Sequence, residues 1–346
     1  MRIMKNGSKR ILEMKSALQN YECPALSALD AHTKRQIMAL RGGFDLRQKW
    51  LESVQIKGNS LKTYERALQA FELFCKDNGV QNLSGLTADF MRQYANFLQS
   101  KAASTRALYL QAARRFITFL HVNGFLPFNI AANLKIQGAR QNSFKKDYLN
   151  AEAASALIQA QNGADLISLR NKAMLALMVT GGLRTCEIAA ARLGDFDNLH
   201  GQQVLYVLGK GRVEKVDFVK IAPAVDSLIK EYLQARQRAG EILDDSSPLF
   251  ATHGNKFATI LRALSTRSIS YIVKSAMRKN GIDSRRFTAH SLRHTAAVLS
   301  LKSGCSLTDT MQFMRHKNVA TTQIYTHSIE RENNNSELRI AAAVFA

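Results

Sequence analysis

A ten-residue stretch near the middle of the chain limits what this sequence can fold into. Residues 138–147 read G-A-R-Q-N-S-F-K-K-D and are polar and basic, with little apolar content. Such a composition supplies few side chains for a packed core and is typical of a linker. We therefore expect two separately folded parts, residues 44–137 and 148–328, joined loosely enough to close around a large partner.

The part before the linker is predicted to be all-helical and contains an internal repeat. Residues 60–79 and 105–124 resemble each other at an offset of 45 residues. The aligned pairs are Tyr64 with Tyr109, Phe71 with Phe116, Phe74 with Phe119, and Asn78-Gly79 with Asn123-Gly124. Each segment is expected to begin near a Ser/Thr cap and to end at Asn-Gly. A third helix is expected from Thr87 to Ser100. The side chains expected to face the core are those of Phe90, Met91, Tyr94, Phe97 and Leu98.

The part after the linker mixes helices with strands. Helices are predicted at 151–161 (capped by Asn150), 165–179, 183–191, 267–280, 290–303 and 307–314, with another starting at Pro223. The helix at 165–179 is strongly apolar and is expected to be buried. Strands are predicted at 203–208 and 213–221, with a short addition at 248–250. The fold class is therefore predicted to be mainly α with a small antiparallel β-sheet.

The charge balance indicates the class of partner. The 346-residue chain has a net charge of +21, and residues 1–146 hold 23 Lys/Arg against 9 Asp/Glu. An excess this one-sided favours a polyanion, and nucleic acid over a membrane surface. Any single basic residue could lie on a solvated helix face, but those at the repeated helix starts favour DNA contact as a group. They are Lys57, Lys62, Arg66, Lys101, Arg106, Arg114 and Arg115.

Cysteine usage and apolar content bear on the compartment. The cysteines are Cys23, Cys75, Cys186 and Cys305. Their scattered spacing argues against a zinc site and against a disulfide framework, so buried free thiols in a reducing cytoplasm are expected. The first ten residues lack an apolar core of signal-peptide length, and no apolar run is long enough to span a bilayer.

Two motifs near the C-terminus carry side chains suited to chemistry on a phosphodiester. They read H-S-L-R-H-T at 290–295 and R-H-K-N-V-A-T-T-Q-I-Y-T-H at 315–327. In a helix, His290 and Arg293 share one face. A guanidinium grips phosphate oxygens, imidazoles exchange protons, and a phenol can attack. A second Arg is available upstream, in G-G-L-R-T-C-E-I and in G-K-G-R.

In this order, the four motifs resemble the tyrosine recombinase (phage integrase) family. Each motif is weak alone, but four in order with a terminal Tyr are specific. The match covers about residues 145–328, and the helical repeat resembles the family's core-binding domain. The resemblance implies a two-domain DNA clamp, with a SAM-like core-binding domain at 44–137, the linker, and a catalytic domain at 148–328. Residues 1–43 form an unassigned extension that is either a plain lead-in or an additional arm contacting DNA.

The resemblance also assigns roles to individual side chains. Arg184 and Arg293 resemble the pair that clamps the scissile phosphate, where charge builds during the reaction. Lys210, on the turn between the two strands, resembles the lysine that protonates the leaving 5′ oxygen. The alternatives are that the two arginines form structural salt bridges and that Lys210 lies in a surface loop.

Four further side chains complete the implied site. His290 resembles the proton-handling histidine, and His316 the one that hydrogen-bonds the phosphate. Tyr325 resembles the nucleophile, with a packed aromatic as the alternative. Glu187 resembles the acidic residue that orients the site, with a surface helix position as the alternative. The chain departs from the family's Leu-Gly-His at 314–316, where it has Met-Arg-His; the missing glycine alters the turn, and Arg315 could add a phosphate contact.

The reaction that the resemblance implies needs no metal and no cofactor. Tyr325 attacks a phosphodiester, forms a 3′-phosphotyrosyl link and frees a 5′ hydroxyl, so that a partner strand can reseal the joint. The implied partners are double-stranded DNA with specific recombination sites, four protomers on two duplexes, and accessory DNA-bending proteins. Residues 329–346, polar and then apolar, would be the segment passed to a neighbouring protomer.

Several functional alternatives stay open at this point. A metal hydrolase would use the spacing of His290 and His294, but the intervening Arg293 disfavours it. A type IB topoisomerase-like enzyme shares the nucleophile logic, and a non-catalytic DNA-binding protein would never form a covalent adduct. Among recombinases, the high charge and the long leader favour integration or excision of a mobile element over resolution of chromosome dimers.

Overall fold

The structure is a computed structural model in which both halves of the chain are mostly helical. It describes residues 43–54, 58–80, 83–136, 147–209, 214–253 and 262–345. The N-terminal extension and most of the predicted linker lie outside these ranges, as do Lys57 and Lys210. Contacts between Cα atoms divide the chain into two compact units, Met1–Arg140 and Gln141–Ala346. In the described ranges, no helix is long and apolar enough to cross a membrane.

The described part of the first unit is a bundle of α-helices. They are α1 (Gly43–Ser53), α2 (Asn59–Asp77), α3 (Ala88–Phe97) and α4 (Ala103–Val122). Trp50 of α1 is fully buried, with its ring 5.9 Å from Tyr64 of α2 and 6.0 Å from Phe116 of α4. Such aromatic contacts add to the burial of each ring, so Trp50 joins three helices into one core.

The internal repeat predicted from the sequence ends both α2 and α4 in the same way. The side-chain amides of Asn78 and Asn123 donate to the carbonyls of the Phe residues four positions earlier, at 2.8 Å in both cases. Gly79 and Gly124 follow in the left-handed region, at φ 72° and 74°. The prediction that each repeat ends at Asn-Gly is confirmed, and the bonds satisfy carbonyls that a helix end would otherwise leave unpaired.

The predicted starts of these two helices are wrong. The N-cap residues are Gly58 and Ala102, and neither makes a side-chain capping bond. Each helix begins one or two residues before the Ser or Thr that was expected to cap it. Ser60 and Thr105 therefore lie within the first turn, past the cap position.

Two predictions for the first unit need correction. One concerns the inward face of its third helix, and the other concerns the expectation that residues 44–137 are all-helical. Phe97 is 54% exposed because α3 ends there, and a 3₁₀ turn at Leu98–Ser100 carries Leu98 into the core in its place. Residues 123–136 were expected to be helical but run through turns and irregular structure. Pro127, which has no N–H to donate, disfavours a helix there.

The second unit contains the sheet and a longer series of helices. Its elements are α5 (Ala151–Gln159), α6 (Leu166–Thr180), α7 (Thr185–Ala190), β1 (Phe196–Leu199), β2 (Gln202–Val207), β3 (Asp217–Lys220), α8 (Pro223–Arg238), α9 (Thr266–Lys279), α10 (Ala289–Lys302), α11 (Leu307–Phe313), α12 (Ala320–Asn333) and α13 (Ser336–Phe345). The predicted helices agree with α5 to α7 and α9 to α11 within two residues at each end, and the predicted start of α8 at Pro223 is also confirmed. The helix α12, which carries Tyr325, was not predicted.

The sheet has three antiparallel strands in the order β1-β2-β3. Leu205 of β2 pairs with Phe196 of β1 on one side and with Val219 of β3 on the other. The mainly α fold class with a small antiparallel sheet is therefore confirmed. β1 was missed because F-D-N-L is short and half polar, and the predicted strand at 248–250 amounts to isolated bridges.

Helix α6 lies at the centre of the second unit, and the predicted site residue Arg184 follows shortly after its end. Its residues from Ala173 to Val179 are buried against α8 and α10, as its apolar sequence predicts. Asp165 caps its start by accepting from the N–H of Ile167 and Ser168. Its end is the Gly181-Gly182 pair, where Gly182 has φ 56°.

Substituting Gly182 tests how tightly this break is packed. A Cβ there would lie 2.9 Å from the Met314 sulfur and 3.3 Å from the Phe313 ring. We expect Gly182→Ala to lower the free energy of unfolding by about 1–3 kcal/mol more than Gly281→Ala, because overpacking adds to the backbone strain. Gly281 is the matched control, since it has φ +76° and a Cβ added there would meet nothing within 4 Å. Urea denaturation followed by circular dichroism measures both; equal losses would mean that the break is not packed.

Candidate active site

Six of the seven predicted site residues lie around the end of α6 in the second unit. Arg184 and Glu187 come from the start of α7, His290 and Arg293 from α10, and His316 from the turn after α11, while Tyr325 lies on α12. These elements meet because α10 packs on α6 and α12 packs on α10 and α11. Lys210, the seventh, lies outside the described residues.

Glu187 is a fully buried carboxylate held by basic groups. Its Oε1 lies 2.6 Å from Nη1 of Arg184, and its Oε2 accepts from the backbone N–H of Arg184 at 2.8 Å. Burial by itself raises the pKa of Glu187, but Arg315, Arg184 and Arg293 together hold that pKa below its ordinary value. The alternative of a surface helix position for Glu187 is therefore wrong, since its carboxylate is buried and paired with Arg184.

The two predicted clamp arginines differ in what they bind. The Arg184 side chain is 23% exposed and donates from Nη1 to Glu187. Arg293 is fully buried and donates to the backbone carbonyls of Gly182 and Met314. Burial and the neighbouring guanidinium groups lower the pKa of Arg293. In this structure Arg293 cross-links the break after α6 to the turn before α12.

The side chain of Arg315 is buried and is bonded within the protein. Its backbone adopts φ 52°, so the turn keeps a glycine-like conformation although the residue is Arg. Its side chain is 5% exposed, and its guanidinium donates to protein oxygens, among them Oε2 of Glu187 at 3.0 Å. Both terminal nitrogens of Arg315 are thus engaged by protein acceptors, and a phosphate contact by Arg315 stays a prediction.

Tyr325 is buried, and its phenol is hydrogen-bonded within the protein. The side chain is 2% exposed, and the phenol oxygen lies 2.7 Å from Nδ1 of His294. Its ring stacks on that of His316, with centroids 6.3 Å apart and planes at 5°. Burial raises the pKa of Tyr325 to about 12, although Arg293 and Arg184 act in the opposite direction. In this state the phenol is protonated near pH 7 and covered by protein.

The histidines around the phenol are neutral near pH 7. Burial and neighbouring cationic groups lower the pKa of His294 to about 3 and that of His316 to about 4. The pKa of His290 is also lowered, by burial and then by Arg293 and Arg184, although this side chain keeps an exposed surface. Neutral imidazoles can each accept one proton or hydrogen bond. Nδ1 of His316 is 2.9 Å from the Thr322 hydroxyl, which fixes its ring.

His294 is a site residue that the sequence did not identify as such. The sequence suggested it only as a metal ligand together with His290. The two rings do lie on one helix face, 4.6 Å apart and nearly perpendicular, but Nδ1 of His294 points to Tyr325. Across the described ranges, no group of three or more His, Cys, Asp or Glu side chains is arranged to hold a metal ion. The four-residue spacing was the available signal, and its partner on α12 could not be read from it.

A basic cleft adjoins the exposed side of the site. It has a volume of about 680 Å³ and includes Arg184 and His290 in its walls. The side chains of Lys274 on α9 and Arg285 also line it. Cationic clefts of this kind suit phosphate groups. Cys186 lines it as well; this thiol and that of Cys305 are exposed, so the prediction of buried thiols is wrong for both.

Apart from Lys57, which lies outside the described residues, the predicted DNA-contacting residues of the first unit lie on α2, α4 and the turn between α3 and α4. Lys62, Arg66 and Lys101 are exposed. The others are partly engaged with the protein itself. Arg115 donates to the Tyr64 hydroxyl at 3.1 Å, and Arg106 donates to Gln99 at 2.7 Å, while Arg114 is half-buried.

Comparisons with known proteins agree with this architecture. Residues 147–332 match the phage integrase family, and residues 48–124 match the phage integrase N-terminal SAM-like domain. Tyrosine recombinase XerC of Mannheimia succiniciproducens is 29% identical over 277 residues, which cover 79% of this chain and 88% of that relative.

Solved structures show the same fold. A XerH site-specific recombinase bound to palindromic difH substrate, in a post-cleavage complex, gives a TM-score of 0.64 at 22% identity and covers 83% of this chain and 80% of that one. A lambda integrase tetramer bound to a Holliday junction gives 0.59 at 18% identity and covers 82% and 76%. Since the phage integrase family match spans more than half of the sequence, the chain belongs to the phage integrase family of tyrosine recombinases.

Proposed function

We propose that this tyrosine recombinase cuts and rejoins DNA at specific sites through a 3′-phosphotyrosyl link formed by Tyr325. The observation that carries the proposal is the convergence of Tyr325, Arg184, Arg293, His290 and His316 around one helix end. Guanidinium groups stabilise the charge that develops on the scissile phosphate, and a phenol can serve as a nucleophile.

The buried state of Tyr325 supports a reaction that is switched on by DNA. A phenol that is 2% exposed and bonded to His294 cannot contact a phosphodiester. Helix α12 therefore has to shift before Tyr325 can attack. A phosphate bound at Arg184 would compete with the phenol for the guanidinium groups of Arg184 and Arg293. In the proposed reaction His290 handles a proton, His316 hydrogen-bonds the phosphate, and Glu187 orients Arg184.

Lys210 is proposed as the general acid. It lies in the connection between β2 and β3, whose described ends are Gly209 and Glu214. An ammonium delivered from such a connection can protonate the leaving 5′ oxygen, and it needs no metal.

The proposed DNA partner is double-stranded DNA with specific recombination sites. The exposed Lys62, Arg66 and Lys101 of the first unit support phosphate contacts that are independent of the catalytic site. The basic cleft beside Arg184 supports a further set in the second unit. A clamp formed by a core-binding domain at 44–137, a linker and a catalytic domain at 148–328 is proposed on this basis, with accessory DNA-bending proteins as further partners.

A synaptic tetramer is proposed for the active form, and the C-terminal helix supports it. No residue of α13 is buried, and Leu338, Ile340, Val344 and Phe345 are between 62% and 87% exposed. An apolar helix left uncovered on its own chain is suited to covering another surface. The lambda integrase tetramer on a Holliday junction is a protein of the same fold. Residues 329–346 are therefore proposed to dock on a neighbouring protomer.

For the biological role we propose integration or excision of a mobile element, in the cytoplasm. The net charge of +21 and the residues before α1 support this role. The exposed thiols of Cys186 and Cys305 fit a reducing compartment. Direct repeats of the recombination site on both sides of the gene would support the proposal. A single chromosomal site far from the gene would instead indicate chromosome-dimer resolution.

Substitution of the nucleophile gives the first test of this function. A pool of nicked duplexes with randomised sequence around the nick should yield a protein–DNA adduct that survives denaturation, and sequencing the captured DNA identifies the site. Tyr325→Phe should bind the recovered duplex but form no adduct, since it has no hydroxyl to attack. Tyr271→Phe, at an exposed tyrosine of α9, is the matched control and should react normally. If Tyr325→Phe still formed an adduct, Tyr325 would not be the nucleophile.

Replacement of the proposed general acid gives a second test. Lys210→Ala should slow cleavage of an ordinary phosphodiester by about 10²–10⁴-fold, the usual range for general acid catalysis. A duplex with sulfur at the 5′ bridging position has a leaving group that needs no proton, so the variant should cut it at nearly the normal rate. Lys220→Ala, at an exposed lysine of β3, is the control. Equal loss on both duplexes would show that Lys210 only binds DNA.

Deletion of the tail tests the assembly. A chain without residues 337–346 should bind a single site normally but form fewer synapses of two duplexes, because burial of the exposed apolar side chains of α13 could contribute several kcal/mol to an interface. Native gels and light scattering measure synapsis. Ile242→Ser, at an equally exposed apolar position, should leave it unchanged. Normal tetrameric synapsis by the truncated chain would rule out docking of the tail.

A further inference from the structure

Arg315 occupies a backbone position that favours glycine. It lies in the turn between α11 and α12, immediately before His316, and its φ is 52°. A non-glycine residue in the left-handed region is disfavoured because its Cβ crowds the following carbonyl. A side chain at such a position therefore has to be accommodated by contacts that outweigh the local strain.

The guanidinium of Arg315 makes such contacts with two segments of the chain. Nη1 donates to the carbonyls of Phe313 at 2.8 Å and of Gly181 at 3.3 Å. Nη2 donates to the carbonyl of Gly182 at 3.1 Å and to Oε2 of Glu187 at 3.0 Å. Both terminal nitrogens thus bridge the turn before His316 to the break between α6 and α7.

Glu187 extends this bridge to Arg184. One oxygen of its fully buried carboxylate pairs with Arg315, and the other pairs with Nη1 of Arg184. A buried carboxylate that loses one partner becomes an incompletely compensated charge, which is costly. The orientation of Arg184, which lines the basic cleft, therefore depends on Arg315 through Glu187.

Arg293 shares the same acceptor. The Gly182 carbonyl accepts from both Arg293 and Arg315, while Arg293 also donates to the carbonyl of Met314, the residue before Arg315. The two guanidinium groups thus hold the same two backbone segments from different elements. With its side chain 5% exposed, Arg315 has no surface to offer a DNA phosphate in this structure.

We propose that Arg315 is a positioning residue for cleavage: it holds Arg184, through Glu187, and the turn carrying His316 in one fixed arrangement. The proposal rests on the proposed function, because cleavage is its readout, but its structural half can be tested without DNA. The alternative is that Arg315 has no positioning role and merely occupies a backbone position that favours glycine. The two predict opposite effects of restoring glycine, since glycine relieves the backbone strain but removes the guanidinium.

The first measurement is hydrogen exchange of the free full-length chain, followed by mass spectrometry of peptides. In Arg315→Met the amides of Glu187 and Ile188, which donate to the Arg184 carbonyl, should exchange about tenfold faster, since local opening is set by local contacts. Helix α8 should be unchanged in the same sample. Arg278→Met, at an exposed arginine paired with Asp283, is the control. Unchanged exchange at 187–188 would overturn the proposal.

The second measurement is single-turnover cleavage of the duplex recovered from the random pool. Arg315→Gly and Arg315→Met should each cleave about 10- to 100-fold more slowly at saturating DNA, with unchanged affinity, because misplaced catalytic groups affect the chemical step. Arg315→Lys should restore part of the rate, since an ammonium can still pair with Glu187. In a Glu187→Gln background, Arg315→Met should cost much less.

The outcomes separate the two hypotheses. Cleavage at the wild-type or a higher rate by Arg315→Gly would show that the position serves only the turn and would overturn the proposal. Losses that add fully in the double variant would overturn the route through Glu187. A wild-type chain that forms no adduct would instead refute the proposed function, and the exchange data would then decide alone whether Arg315 holds the two segments together.

Discussion

The arrangement of the site depends on the burial of one carboxylate, that of Glu187. A charge removed from water is costly unless it is paired and hydrogen-bonded. Both of its oxygens are engaged, by Arg184 three residues away and by Arg315 at a separation of 128 residues. Neutralising this one charge therefore brings the break after α6 against the turn before α12. Burial of the Glu187 carboxylate therefore also brings Arg184, whose guanidinium suits a phosphate, close to the turn that leads into α12 and Tyr325.

Burial of Tyr325 has two effects on its phenol, which is covered by protein and has a raised pKa. Tyr325 is covered by protein, and its pKa is raised to about 12, so only on the order of one phenol in 10⁵ is ionised near neutral pH. His294 accepts from or donates to the phenol while remaining neutral. Movement of α12 would remove both restraints together, because the same burial causes both. Reactivity is thus coupled to the position of a helix more than to the intrinsic chemistry of a side chain.

The sequence predicts those features that depend on local chemistry. The Asn-Gly ends of α2 and α4, the apolar α6 and the helix that aligns His290 with Arg293 all follow from spacing and capping. What it misses depends on tertiary context. β1 is too short and polar to be read, Phe97 turns outward because a 3₁₀ turn follows, and the role of His294 requires α12 as a partner. The contacts of Arg315 with Gly181 and Glu187 could not be read from the sequence either, because these acceptors lie far away along the chain.

The Asn-Gly ends of α2 and α4 have a consequence for chemical ageing. Asparagine before glycine deamidates when the glycine nitrogen attacks the side-chain carbonyl and closes a succinimide ring. In the first unit this nitrogen is engaged, since the N–H of Gly79 and of Gly124 donate to helix carbonyls, while each Asn amide is held by a Phe carbonyl. Ring closure requires these bonds to open. Isoaspartate at the two positions would therefore accumulate in proportion to fraying of α2 and α4, and would serve as a record of local unfolding.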